Sequence, residues 1–139
     1  MDAVAALLIA GSAAIAVILG LLHLLYTFRG RMLMPREAEL HARMQQVSPV
    51  ITRETTMWKA WIGFNASHAC GLVLFGAVYG YLAIAHAELL FHSDFLLALG
   101  LVALLAYAFL AGSYFFRVPL QAILVATLLY GLGLVLGWT

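Results

Sequence analysis

AVAALLIAGSAAIAVILGLLHLLYTF, residues 3–28, decides the fold: this run of 26 residues contains no Asp, Glu, Lys or Arg. As a helix rising ~1.5 Å per residue it would measure ~39 Å, more than the ~30 Å hydrocarbon core of a bilayer. Lipid offers the backbone no hydrogen bonds, so a spanning segment must satisfy its own amides, and the absence of period-two alternation excludes a barrel strand. Working outward, the same lack of charge recurs from Ala60 to Ala85, from Phe95 to Phe116 and from Val118 to Thr139. The whole chain of 139 residues is 65% hydrophobic and 9% charged, with a mean hydropathy of +1.05. Soluble domains run to about 45–50% apolar and about 25% charged, so water is not the main solvent here. The sequence therefore predicts an all-α fold in one transmembrane domain. The expected architecture is an antiparallel bundle of four transmembrane helices, with spans near 3–28, 60–85, 95–116 and 119–138 and an amphipathic cytoplasmic connection over 29–59.

The first run opens on Asp2, where a signal peptide would carry a basic region, and stays apolar far beyond a signal-peptide core; it reads as a retained helix. Cys70 is the single cysteine, which excludes an intrachain disulfide. All seven basic residues, Arg29, Arg31, Arg36, Arg43, Arg53, Lys59 and Arg117, fall in the first and third connections, while the second holds Glu88 and Asp94. The positive-inside rule then puts the first and third connections in the cytoplasm and both termini in the periplasm. The basic residues are accounted for by orientation, and no nucleic-acid partner is expected.

The long first connection should hold structure of its own. Pro35 suits a first helical position, Glu37 and Glu39 suit the positive end of a helix, and Leu40, Met44 and Val47 recur on one face. With Arg36 and Arg43 beside it, that stripe is expected to lie on the headgroup layer. Ser48-Pro49 reads as an N-cap and first-turn proline that would start the second helix early, in the cytoplasm. Ser93-Asp94 reads as an N-cap for the third helix, and Pro119 as the beginning of the fourth. Short links make helices two, three and four antiparallel neighbours. Trp58, Trp61, Tyr114 and Phe115 at the inner boundary, with Phe91 and Trp138 at the outer one, fit interfacial belts.

Polar residues inside the runs are few and uneven. Gly63, Ser67 and Gly71 repeat every four residues, and Gly76 and Gly80 extend the series; such spacing lets another helix approach closely. Asn65 and His68 share a helical face. Counted from the charged boundaries, His23 and His68 belong to the cytoplasmic leaflet, ~9 Å and ~13 Å deep, and Ser113 and Gln121 flank Arg117 at similar depth. His23, Asn65, His68 and Gln121 are expected to face the bundle interior and bond one another, because a lipid-facing placement would be costly. The plainest role for such residues is interhelical hydrogen bonding worth ~0.6 kcal/mol each. As a site they have further roles open: an imidazole can relay a proton or hold a polar group of a ligand, and two histidines on different helices can ligate haem b axially. Zinc is not expected, since two convergent ligands fall short of four, and no other metal or cofactor is called for. No carboxylate lies in any span, which disfavours a proton-coupled exporter built on a buried Glu or Asp.

The stretch Thr55-Thr56-Met57-Trp58-Lys59-Ala60-Trp61-Ile62-Gly63-Phe64-Asn65-Ala66-Ser67-His68, preceded by Ser48-Pro49-Val50-Ile51-Thr52-Arg53, resembles a family of small four-helix bacterial inner-membrane proteins of unassigned function. That resemblance implies a bacterial inner-membrane location. In layout the chain is also similar to the membrane-associated proteins of eicosanoid and glutathione metabolism, whose second helix carries a basic residue followed by Asn-x-x-Glu. Here Lys59 precedes Asn65-Ala66-Ser67-His68, with histidine in place of the glutamate. This second resemblance implies trimers binding glutathione and a lipophilic substrate between subunits, with Arg53, Lys59 and Arg117 as anion-binding candidates.

The expected function is that of a small inner-membrane protein, more a binder than an enzyme. It would hold a lipophilic ligand in its inner-leaflet polar layer or serve as an accessory subunit of a membrane complex, as a homo-oligomer or within a larger assembly. A glutathione-transferase-like membrane enzyme is the alternative, followed by a small transporter or a haem-binding bundle.

Overall fold

The computed structural model describes residues 3–137, so the belt position assigned to Trp138 and the acidic start at Asp2 lie outside the described residues. Among the described residues six helices and no strands form: α1 (Ala3–Phe28), α2 (Ala38–Gln46), α3 (Met57–Ala85), α4 (Ala87–Phe91), α5 (Asp94–Tyr114) and α6 (Arg117–Gly137). Helices α1, α3, α5 and α6 are long and apolar enough to cross a membrane.

Local chemistry explains where the helices stop. After α1, Arg29 N–H still bonds Leu25 C=O at 2.7 Å, and Gly30 then takes φ +96°, the left-handed turn that ends a helix without a Cβ penalty. The start of α3 corrects the Ser48-Pro49 reading. Thr56 is its cap, with Thr56 Oγ1 accepting Lys59 N–H at 3.3 Å. Pro49 instead begins a turn, its C=O accepting Thr52 N–H at 3.3 Å. Likewise Pro35 does not open α2, which begins three residues later. Glu37 is extended, at φ −88° and ψ 121°, so the chain between Pro35 and α2 is not helical, and the Leu33 carbonyl accepts Trp61 Nε1–H at 3.0 Å. Ser93 caps α5 as its sequence suggests, its hydroxyl accepting Leu96 N–H at 3.3 Å. Helix α6 starts at Arg117 rather than Pro119; the proline sits in the first turn, where its missing N–H has no helical partner to lose. The second connection holds a short helix of its own, α4, set off from α3 by the non-helical His86.

Contacts divide the chain into two compact units. The first comprises the described residues of Met1–Leu19 and Leu72–Thr139, and the second is Gly20–Gly71. In the first, the core is Ile9, Ala13 and Ala16 of α1, Leu72, Phe75, Tyr79 and Ala83 of α3, Leu90 of α4, Leu104 of α5, and Ile123, Ala126 and Tyr130 of α6. Helix packing there is set by missing side chains. A Cβ at Gly76 would collide with the Ala13 carbonyl oxygen and stand 2.9 Å from Val17 N, so α1 and α3 touch backbone to backbone. A Cβ at Gly133 would meet Ile9 Cγ1 at 2.8 Å and the Ala5 oxygen at 3.0 Å, which brings α6 equally close to α1. Gly100 of α5 receives the rings of Tyr79 and Tyr130. Tyr79 O–H donates to Leu96 C=O at 2.7 Å and Tyr130 O–H to Leu97 C=O at 3.1 Å, so both buried phenols are satisfied inside the unit. Large apolar side chains such as Leu7, Ile84, Val102 and Val135 face outward along the long helices, as acyl chains require.

Candidate functional site

The Gly20–Gly71 unit contains the last turns of α1, the whole of α2 and the first turns of α3. Its polar side chains form a chain of hydrogen bonds that can be read donor by donor. Trp61 Nε1–H reaches across 28 positions to Leu33 C=O at 3.0 Å. One turn along α3, Asn65 Nδ2–H donates to Trp61 C=O at 2.8 Å. That bond fixes which end of the Asn65 amide is the donor, so Oδ1 must accept, and its partner is His23 Nε2 at 3.0 Å. In this bond His23 donates through Nε2–H.

His68 lies one turn beyond Asn65, with its ring edge-on to that of His23 at 5.5 Å between centroids and 63° between planes. Three-residue spacing brings Asn65 and His68 onto one face of α3, and that face meets α1 at His23. All three residues are half-buried. Beneath His23, the buried Thr27 hydroxyl donates back to the His23 carbonyl at 2.7 Å. A hydroxyl bonding the carbonyl one turn earlier is an in-helix alternative to solvation. The first connection is fastened over this end of α3. The His41 ring of α2 stands edge-on to Trp58 at 4.4 Å, and Met57 N–H donates to Val47 C=O at 2.8 Å.

Ser113 and Gln121 belong to the other unit, and both are exposed. Arg53 and Lys59 are exposed in the Gly20–Gly71 unit, and Arg117 is exposed in the first. In the small-residue series, Gly76 and Gly80 face α1, with a Gly80 Cβ standing 3.5 Å from Ala13 Cβ. Gly63 has open space where a Cβ would point, Ser67 is exposed with its hydroxyl on Phe64 C=O at 3.0 Å, and Gly71 is half-buried. The exposed residues leave the outward face of α3 in the second unit smooth rather than filled.

Trp61 and Thr27 are the positions of this cluster to which sequence reasoning assigned no hydrogen bond. Trp61 reads as an interfacial belt residue, and its bond to Leu33 leaves no periodic trace. Thr27 could have been found from its place four residues after His23. Among the described residues no group of three or more His, Cys, Asp or Glu side chains converges as a metal site. The arrangement offers instead a pair of imidazoles and an oriented amide, able to donate to and accept from one polar group in an apolar setting. The chain matches no family model, no curated protein and no solved structure.

Proposed function

We propose that this chain is a small bacterial inner-membrane protein that binds the polar head of a lipophilic molecule at His23, Asn65 and His68. The observation that carries the proposal is the His23–Asn65–His68 cluster itself: three hydrogen-bonding side chains from two apolar helices, half-buried, with the Asn65 amide oriented by Trp61 and His23. Ionisable residues in a membrane span are expensive, and packing alone is achieved more cheaply by the glycines of the other unit. In this reading the four spans run in alternating directions as an antiparallel bundle. The 29–59 connection and the Arg117 link lie in the cytoplasm, and both termini lie in the periplasm. The confinement of all seven basic residues to those two connections supports it. The ligand site then falls in the cytoplasmic leaflet.

Haem is not the ligand proposed. The His23 and His68 rings are in direct edge contact, and His23 Nε2 is engaged by Asn65, which leaves no slab for a macrocycle between them. A second reading, assembly as an accessory subunit or homo-oligomer, rests on the open face at Gly63 and Ser67, where a further helix could approach closely.

The test is to purify the protein in mild detergent and identify co-purifying small molecules by mass spectrometry. A lipophilic compound with a polar head should accompany the wild type and be lost from His68→Ala. Equal occupancy in both proteins rejects the site. Orientation is tested by labelling in a Cys70→Ser background, where cysteines at Gln46 and Leu89 should react from opposite sides of the membrane.

A further inference from the structure

The turn Pro49–Thr52 carries an unusual pair of side chains. Its closing bond, Thr52 N–H to Pro49 C=O at 3.3 Å, leaves Val50 and Ile51 at the two central positions. Gly, Asn, Asp, Pro and Ser dominate such positions because they supply the backbone freedom or the local hydrogen bonds a turn needs. This turn has no positive φ, so two β-branched residues can form it, but they are not the usual choice and they are held outward: Val50 is fully exposed and Ile51 is 91% exposed. Most exposed large hydrophobics of this chain lie on the long helices, where acyl chains cover them; this pair lies outside every one. Two large apolar side chains held in the open without a packing gain are where function is to be sought.

The position of the turn says what covers it. Met57 N–H is bonded to Val47 C=O, so the base of the loop is clamped to the first turn of α3. Val50 is three residues from Val47 and at ~3.5 Å per residue extends ~10 Å at most from that clamp. Trp58 and Trp61, side chains suited to the membrane–water boundary, occupy the same turn and the next. The tip is therefore tethered within reach of the headgroup layer. Its surroundings are cationic: residues 29–59 carry six basic and three acidic side chains. Arg53 follows the turn directly, and the exposed Leu40 and Arg43 lie on α2, with the exposed Arg36 just before it and the exposed Val47 at its C-cap.

We infer that the Pro49–Thr52 turn inserts Val50 and Ile51 into the headgroup–acyl boundary of an anionic leaflet, with Arg43 and Arg53 on the lipid phosphates. Apolar insertion supplies depth, and the arginines supply preference for negative lipid. The occupant of this surface is the bilayer the chain already spans, and the inference stands independently of the ligand at the histidines.

The experiment uses the full-length Cys70→Ser protein in nanodiscs, whose two faces are both open to solution. An environment-sensitive fluorophore is placed at Val50→Cys and, as a water-exposed reference, at Gln46→Cys. In phosphatidylglycerol-containing discs the Val50 label should emit to the blue of the reference, be quenched by headgroup-region nitroxide lipids, and resist iodide several-fold better. Replacing Arg43 and Arg53 by Gln should weaken this partitioning in anionic discs by about fivefold per arginine and leave it unchanged in phosphatidylcholine discs. Iodide access at Val50 equal to that at Gln46 would overturn the inference. Shielding from iodide without nitroxide quenching would overturn it in favour of a protein surface, and equal partitioning into both lipids would overturn the role of the arginines.

Discussion

The two units use the same apolar helices for opposite ends. In the unit built from the described residues of Met1–Leu19 and Leu72–Thr139, glycines at 76, 100 and 133 remove side chains so that backbones and tyrosine rings meet. Its buried phenols spend their hydroxyls on α5 carbonyls and offer nothing outward. In the Gly20–Gly71 unit α1 and α3 meet instead through His23, Asn65 and His68, and the glycine at 63 faces open space. On the proposed reading the buried phenols serve packing, and the half-buried histidines beside the Asn65 amide serve binding. The lesson is that depth of burial separates the two uses where residue type does not.

The comparison breaks most severely at Gly76. Gly76→Leu forces a side chain into the Ala13 carbonyl and Val17 amide, backbone that cannot yield. A loss of about 3 kcal/mol is expected, the upper part of the overpacking range, read as a collapse of detergent-resistant fold in graded denaturation. Gly100→Ala comes next, since its Cβ meets the rings of both Tyr79 and Tyr130. It should cost about 1–3 kcal/mol and be measured in the same way. Asn65→Leu sharpens the comparison from the other side. It removes the acceptor of His23 Nε2–H and should lower stability by only ~0.6 kcal/mol, while the co-purifying ligand disappears from the mass spectrum. Gly63→Ala should be the mildest, neutral or stabilising by up to ~1 kcal/mol, because the added Cβ enters open space and stiffens the helix. A large loss at Gly63 would instead reveal a subunit packed on that face.

Much of this was legible in the sequence because hydrocarbon is an unforgiving solvent. Charge-free runs had to be helices, and the rise per residue was enough to set His23 and His68 at comparable depth. What stayed hidden depended on contacts far apart in the chain. Ser48-Pro49 and Thr56 both satisfy the local pattern of a helix start, and only the clamp from Met57 to Val47 and the turn closed on Pro49 decide between them. Pro35 misleads because a proline suits an extended segment as well as a first helical turn, and Glu37 between it and α2 is extended. Spacing alone could not tell the covered glycines at 76 and 80 from the open one at 63, because a four-residue repeat defines a face without saying what lies against it. Thr27 and Trp61 were missed as partners because their bonds serve the backbone of other residues.

The central claim is that the histidine cluster binds while the tyrosine cluster packs. One paired measurement of ligand occupancy and melting temperature tests it most directly, made on His23→Ala/His68→Ala and on Tyr79→Phe/Tyr130→Phe. The histidine variant should lose the bound lipophilic molecule and melt close to the wild type, and the tyrosine variant should keep the molecule and melt lower. A histidine variant that retains full occupancy and melts as low as the tyrosine variant would contradict the account.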